Sequence, residues 1–275
     1  MKKIYSILTL IFFLNSTNTM EQLKPFIKKG ELEKIQNILT DNPSLVLEAD
    51  EQNNNWTALH LAASYCSKPI IELLLTFGVQ TIINEPDKLG RTPLHLAVEG
   101  WPIPEESIDD QVIELLINNG AHESVNALDF FKRTPLFYAA RHKNPIIAKL
   151  LLNHGAQKTI NQAELQHRMT PLHHAAELGR KEVIHLLLQH GALEVADTYD
   201  SCGRKPSDMG AGRKNYDDIA AEFNYYKWRY ENAPKERLAF LMASHERTGA
   251  DSPANVLPTF IFRHISRFIP RIPQD

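Results

Sequence analysis

Four stretches of the chain are versions of one another, and this self-similarity limits the possible folds more than any other feature. They are WTALHLAA at 56–63, RTPLHLAV at 91–98, RTPLFYAA at 133–140 and MTPLHHAA at 169–176. A fifth, weaker copy is RKPSDMGA at 204–211. The equivalent positions Thr57, Thr92, Thr134, Thr170 and Lys205 follow at intervals of 35, 42, 36 and 35 residues. Downstream of each full copy an apolar run ends in glycine: IIELLLTFG, VIELLINNG, IIAKLLLNHG and VIHLLLQHG. The distance from Thr to that glycine is 21 residues in three copies and 28 in the second, so the long interval is one insertion between two helices. Such a period describes small units, each burying its apolar face only on its neighbours.

The local physics of one unit follows from its residues. Thr is a good N-cap, and Pro at the first helical position loses no hydrogen bond. Leu94, Leu136 and Leu172 then face the core. His95 and His173 fall three residues after the cap, where a ring nitrogen can reach back as Glu or Gln does in a capping box. The pairs Ala62-Ala63, Ala139-Ala140 and Ala175-Ala176 let neighbouring helices approach closely. The second helix buries an Ile/Leu stripe and stops at a glycine suited to a left-handed cap. Asn84, Asn126, Asn161 or Asp197 comes six residues later, and Asp87, Asp129, Glu164 or Asp200 three beyond that. These are turn formers, and a short β-hairpin is expected around them.

The T-P-L-H-x-A motif and the unit built on it resemble the ankyrin repeat, over about residues 21–230. The resemblance implies a mainly α fold, a solenoid of helix–turn–helix units joined by short β-hairpin loops, with extra C-terminal helices. Residues 21–52 would be a helical capping repeat, with Gly30 in its turn and Ile35, Ile38 and Leu39 as its stripe. Residues 53–230 would hold the repeats, with units starting near 57, 92, 134 and 170 and a degenerate one near 205. Residues 231–275 would form a helical tail. Two departures stand out. The connections run longer than the family's usual period near 33. The glycine kept as Gly90 and Gly203 is replaced by Asn55, Lys132 and Arg168, and the last two take left-handed backbone less readily; tips of different shape are expected there.

The resemblance also implies a non-enzymatic scaffold that binds a protein partner through its inner groove and hairpin tips. Carried onto this chain, the groove would present Ser64, Tyr65, Glu99, Arg141, His142, Glu177 and Leu178. The tips would present Lys88, Phe130, Phe131, Gln166 and His167. Phe130-Phe131 is the most hydrophobic tip and the candidate hot spot, since aromatics dominate interface energetics; the alternative is that Phe131 packs against the adjacent hairpin. Trp101, in the insertion EGWPIPEESIDD at 99–110, is a partner anchor or tucks onto the array itself.

Histidine is a frequent metal ligand and acid–base catalyst, and residues 169–192 carry His173, His174, His185 and His190. Alignment gives them four different places. His173 is a capping position. His174 matches Leu61, Leu96 and Tyr138 on the inner helix. His185 matches Glu72, Glu114 and Lys149 on a solvated face. His190 precedes the terminal glycine, where a cation suits a helix C-terminus. No metal, cofactor or catalytic site is expected. The long aromatic helix around Phe223, Tyr225, Tyr226, Trp228 and Tyr230 packs on the last repeat or forms an exposed patch.

Apolar content of 43% and charged content of 23% are ordinary for a globular chain, which argues against overall disorder. A net charge of −3 gives no general pull toward nucleic acid. Cys66 and Cys202 form no CxxC pair, and there is neither a phosphate-binding G-x-x-x-x-G-K-[ST] loop nor a G-x-S-x-G elbow. A monomer is expected. Residues 1–20 begin with two lysines and an apolar run from Ile4 to Leu14, too short to span a bilayer but suited to a secretory signal. The expectation is export or secretion, in the manner of an effector, with an unstructured leader or cytoplasmic initiation at Met20 as alternatives. Near the other end, LPTFIFRHISRFIPRIP reads as an amphipathic helix. Residues 257–269 are similar to the opening of F-box-like helices, which would recruit ubiquitin machinery; self-packing or a membrane-surface helix are the other readings.

Overall fold

The computed structural model describes residues 20–100, 102–209 and 216–231. They divide into two compact units, with the boundary between Ala139 and Ala140. The first unit contains helices α1 (Met20–Lys29), α2 (Leu32–Asp41), α3 (Ala58–Ser64), α4 (Lys68–Thr76), α5 (Pro93–Glu99), α6 (Asp110–Asn118) and α7 (Pro135–Ala139). Helices α1, α3, α5 and α7 pack one on the next, and α2, α4 and α6 form a second row. The second unit contains α8 (Ile146–Asn153), α9 (Pro171–Leu178), α10 (Lys181–Gln189) and α11 (Tyr216–Glu231). Here α10 packs against α8, α9 and α11. The fold is the mainly α, helical-repeat class expected from the sequence.

Each inner helix begins as its residues dictate. Thr57, Thr92 and Thr170 sit in extended backbone as N-caps, each in a reciprocal capping box with the histidine three residues on. Leu59, Leu94, Leu136 and Leu172 are fully buried, as are the three Ala pairs. Full burial of one leucine side chain contributes roughly 1.5–3 kcal/mol, and each copy of the motif repeats that contribution. The outer helices bury Ile70, Ile71 and Leu74, then Val112, Ile113 and Leu116, then Val183, Ile184 and Leu187. Helix α10 stops at Gly191, whose φ of 111° no side-chain-bearing residue adopts comfortably.

The connections differ from expectation. After each terminal glycine comes a short 3-10 turn: Val79–Ile82, Ala121–Asn126, Ala156–Thr159 and Ala192–Val195. Among the described residues one strand pair forms, β1 (Ala49–Asp50) with β2 (Trp56–Thr57), antiparallel, Ala49 opposite Thr57. The other expected β-hairpins are tight turns closed by one amide, as from Asp87 to the Arg91 carbonyl at 2.8 Å. A buried carboxylate does the rest of the bonding there, so no ladder is needed.

Cys66 ends α3 with φ 47° and is buried, and burial pushes its thiol up to about 11, so it is inert. In α11, Ile219, Phe223 and Tyr226 are buried and Tyr225 is exposed. Its described aromatic face is therefore mainly a packing face on α10. No described helix is long and apolar enough to cross a membrane.

Candidate interaction surface

The capping histidines do more than their spacing shows. The Thr57 amide can only donate, so His60 Nδ1, at 3.3 Å, accepts. Nε2 then carries the hydrogen and donates to the Arg91 carbonyl at 3.3 Å, in the next turn. His95 repeats this with Thr92 and the Arg133 carbonyl. His173 repeats it with Thr170 and the Thr198 carbonyl. Each histidine thus joins its own helix to the following turn, and needs to be neutral to do so. Burial pushes His60 and His95 down to about 4 and also lowers His173.

The turn acids are buried structural groups. Asp87 Oδ1 accepts from the Leu89 and Arg91 amides at 2.8 and 2.9 Å. Its Oδ2 accepts from the Arg91 guanidinium and from Trp56 Nε1 at 3.0 Å. Asp129 binds the Phe131 and Arg133 amides in the same way, and its Oδ2 accepts from Arg133 and from Tyr138 Oη at 2.8 Å. Asp200 repeats the set with Cys202 and Arg204. Burial works against ionisation of Asp200, but the Arg204 bonds outweigh it and hold the carboxyl below the usual carboxylate range. Charge-assisted bonds of this kind outweigh neutral ones, and they fix the tips. Successive tips are also tied by backbone: Lys88 N donates to the Asn54 carbonyl, Phe130 N to Leu89, and Ser201 N to His167, at 2.8 to 2.9 Å.

Repeats of this geometry have a known counterpart. The family model described as ankyrin repeats (3 copies) matches residues 26–122 and 105–199. The chain belongs to the ankyrin-repeat family. No curated protein matches it. Ankyrin repeats are generally protein–protein interaction modules, and the family is typically non-enzymatic.

Beyond the strand-paired first tip, the ankyrin tips divide into two kinds. Lys132 adopts φ 59° and closes its turn as Gly90 does, so the third tip keeps the second tip's shape despite the missing glycine. Arg168 adopts φ 56°, but its turn runs from Glu164 to Met169, one residue longer; the longer Glu side chain reaches the Gln166 and Met169 amides. The expected change of shape therefore occurs at 164–169 and not at 129–133. Lys88, Gln166 and His167 are exposed, as expected. Phe130 is 67% exposed. Phe131 is half-buried, and the Arg133 guanidinium stacks over its ring at 4.4 Å. Phe131 thus rests on its own turn's arginine, and Phe130 is the freely presented aromatic.

The proposed groove residues need two corrections. Ser64 is fully buried, with Oγ donating to the Leu61 carbonyl at 2.8 Å. It aligns with Glu99, Arg141 and Glu177, whose longer side chains reach solvent where serine cannot. His142 is buried at 6% exposure, because α7 ends at Ala139 and the chain turns before reaching it. Neither presents itself to a partner. Arg141 is exposed, while Tyr65, Glu99, Glu177 and Leu178 are half-buried. Glu99 is paired with Arg91 at 3.1 Å and Glu177 with Arg204 at 3.6 Å, so each acid is steadied by the arginine of a turn.

Two histidines also differ from expectation. His185 does not stand on a free solvated face: Nδ1 lies 2.5 Å from Glu222 Oε1, and the Tyr226 ring meets its ring edge-on at 5.5 Å. The residues responsible lie 37 and 41 positions away, on α11, beyond any local pattern. Burial lowers the His190 pKa, which works against the cation expected at that helix end. Residues 1–19, Trp101, the Trp228 and Tyr230 side chains, and the F-box-like segment 257–269 lie outside the described residues.

Proposed function

We propose that this ankyrin-repeat chain acts by holding a protein partner, with the third tip as its main anchor and Arg141, Glu177 and Leu178 as a contact set in the second unit. One observation carries the reading. Phe130 is two-thirds exposed, yet its amide is bonded to Leu89 and its ring lies on Gly90. An aromatic ring that is both presented and immobilised loses little entropy on binding, which is the property of interface hot spots. On the first unit Lys88 stands on the second tip, Glu99 is paired with that tip's Arg91, and Tyr65 caps the end of an inner helix.

Proximity labelling by the intact chain, compared with Phe130→Ala, tests this. The expected result is a small set of proteins whose labelling falls at least tenfold in the variant, a typical hot-spot loss. Identical profiles for the two forms would reject Phe130 as anchor, and the absence of any enriched protein would reject the interaction reading itself. Export is part of the same proposal, supported by the lysines and apolar run before Asn15. Mass spectrometry of the mature protein should place its N-terminus between Ser16 and Glu21; an intact Met1 would reject export by cleavage.

A further inference from the structure

The outermost segments of the three tips of the first unit carry an uneven charge. Asp87 is matched by Arg91 and Asp129 by Arg133. The exposed tip segments 51–54, 88–89 and 130–132 then hold one acid, Glu51, and two lysines, Lys88 and Lys132. Lys88 Nζ donates to the backbone carbonyl of Glu51, a neutral group that leaves the ammonium charge uncancelled. Lys132 is exposed, and the described residues give it no ion-pair partner. Its φ of 59° is a conformation that the second tip gives to glycine. Left-handed backbone is strained at a lysine, and a glycine would relieve that strain without changing the turn. The strain therefore keeps a cation beside Phe130 that the fold does not need.

The neighbouring apolar surface is equally placed. Leu128, at 43% exposure, stands two residues from Phe130 on the same turn. A Cβ at Gly90 would lie 2.7 Å from Phe130 Cδ1, so the absent side chain at Gly90 is what lets the ring settle there. We infer that this surface receives an acidic protein segment bearing a large apolar side chain. The apolar group packs on Phe130 and Leu128, and flanking carboxylates meet Lys88 and Lys132. The inference rests on the interaction reading above and adds the chemistry of the partner.

The test uses a random peptide library displayed on phage and selected on the intact chain, with enriched peptides then measured by fluorescence anisotropy. Asp and Glu should flank a Leu, Phe or Trp in the selected sequences. Binding should weaken at least tenfold in Phe130→Ala and again in the double variant Lys88→Glu, Lys132→Glu. It should also weaken as salt rises from about 50 to about 300 mM, and the double variant should lose that dependence. Thermal melts matching the unsubstituted chain show that the variants are folded. Selected peptides that are neutral or basic, that bind Phe130→Ala unchanged, or that do not emerge at all overturn the inference. So does a polyuridine oligonucleotide that displaces the peptide and binds more tightly, since the aromatic and cations would then serve a nucleic acid. None of these outcomes touches the interaction reading, which fails only if the intact chain labels no protein.

Discussion

Mild acid should destabilise this protein through its capping histidines. His60 and His95 are fully buried, and burial pushes both down to about 4, against about 6.5 for a solvated imidazole. In the unfolded chain each takes up a proton as pH falls through about 6.5, whereas the folded chain resists until about 4. The stability they contribute is therefore complete above about pH 7, declines through the window from 6.5 to 4, and falls no further below it. One pKa unit corresponds to about 1.4 kcal/mol, so each histidine removes about 3 kcal/mol over the window. Two such losses rival the whole stability of a typical domain, about 5–15 kcal/mol. His173 is shifted in the same direction and adds to the effect. Asp200, held below the usual carboxylate range, keeps its contribution until lower pH and does not confuse the window. Urea unfolding followed by circular dichroism at about pH 7.5 and about pH 5 reads the change directly. His95→Gln supplies the control, because glutamine can still reach back to the cap amide but does not titrate. It should lower stability at neutral pH and flatten the pH dependence by rather less than half, since His60 and His173 still contribute in the same direction. A urea midpoint that does not move between those pH values, or a His95→Gln chain with the full original slope, would show that the capping histidines do not carry the pH dependence.

Three further outcomes follow from particular contacts. Leu172→Ala removes a fully buried side chain and should cost about 2–5 kcal/mol in chemical unfolding. His185→Ala removes the bond to Glu222 and the contact with Tyr226, and should cost about 1 kcal/mol, with faster amide exchange confined to Tyr216–Glu231 and Lys181–Gln189; a loss under about 0.3 kcal/mol would return His185 to a free solvated face. Lys132→Gly relieves about 1–2 kcal/mol of left-handed strain, offset in part by about 0.5–1 kcal/mol for glycine's greater freedom in the unfolded chain, so stability should rise by about 0.5–1 kcal/mol while partner binding weakens; lower stability would show that Lys132 is not strained.

The repeat and its helix caps are legible in the sequence because both are local. Thr, Pro, Leu and His lie within four residues, and the same four positions recur with the apolar run behind them. The role of the turn acids is legible only in part. Asp87 reads as a turn former, but its bond to Trp56 spans 31 residues, and Tyr138 meets Asp129 from an aligned position held elsewhere by Leu or His. The groove is the least legible part. Alignment assigns Ser64 and Glu99 the same place, yet whether a side chain emerges there depends on its length. His142 fails for a different reason: α7 is five residues long where α9 is eight, and a shortened helix leaves no mark in the motif that starts it. Lys132 shows the reverse error, a residue type that argued against a conformation the surrounding bonds impose all the same.

On the function proposed above, partner binding uses the turn tips and inner-helix ends while the outer helices serve packing. Hydrogen–deuterium exchange of the intact chain, alone and with the partner captured by proximity labelling, tests it most directly. Protection is predicted at residues 87–91 and 128–133, with further protection at 99 and 177–178. Protection concentrated on the outer helices, Asp110–Asn118 and Lys181–Gln189, with the tips unchanged, would contradict the account.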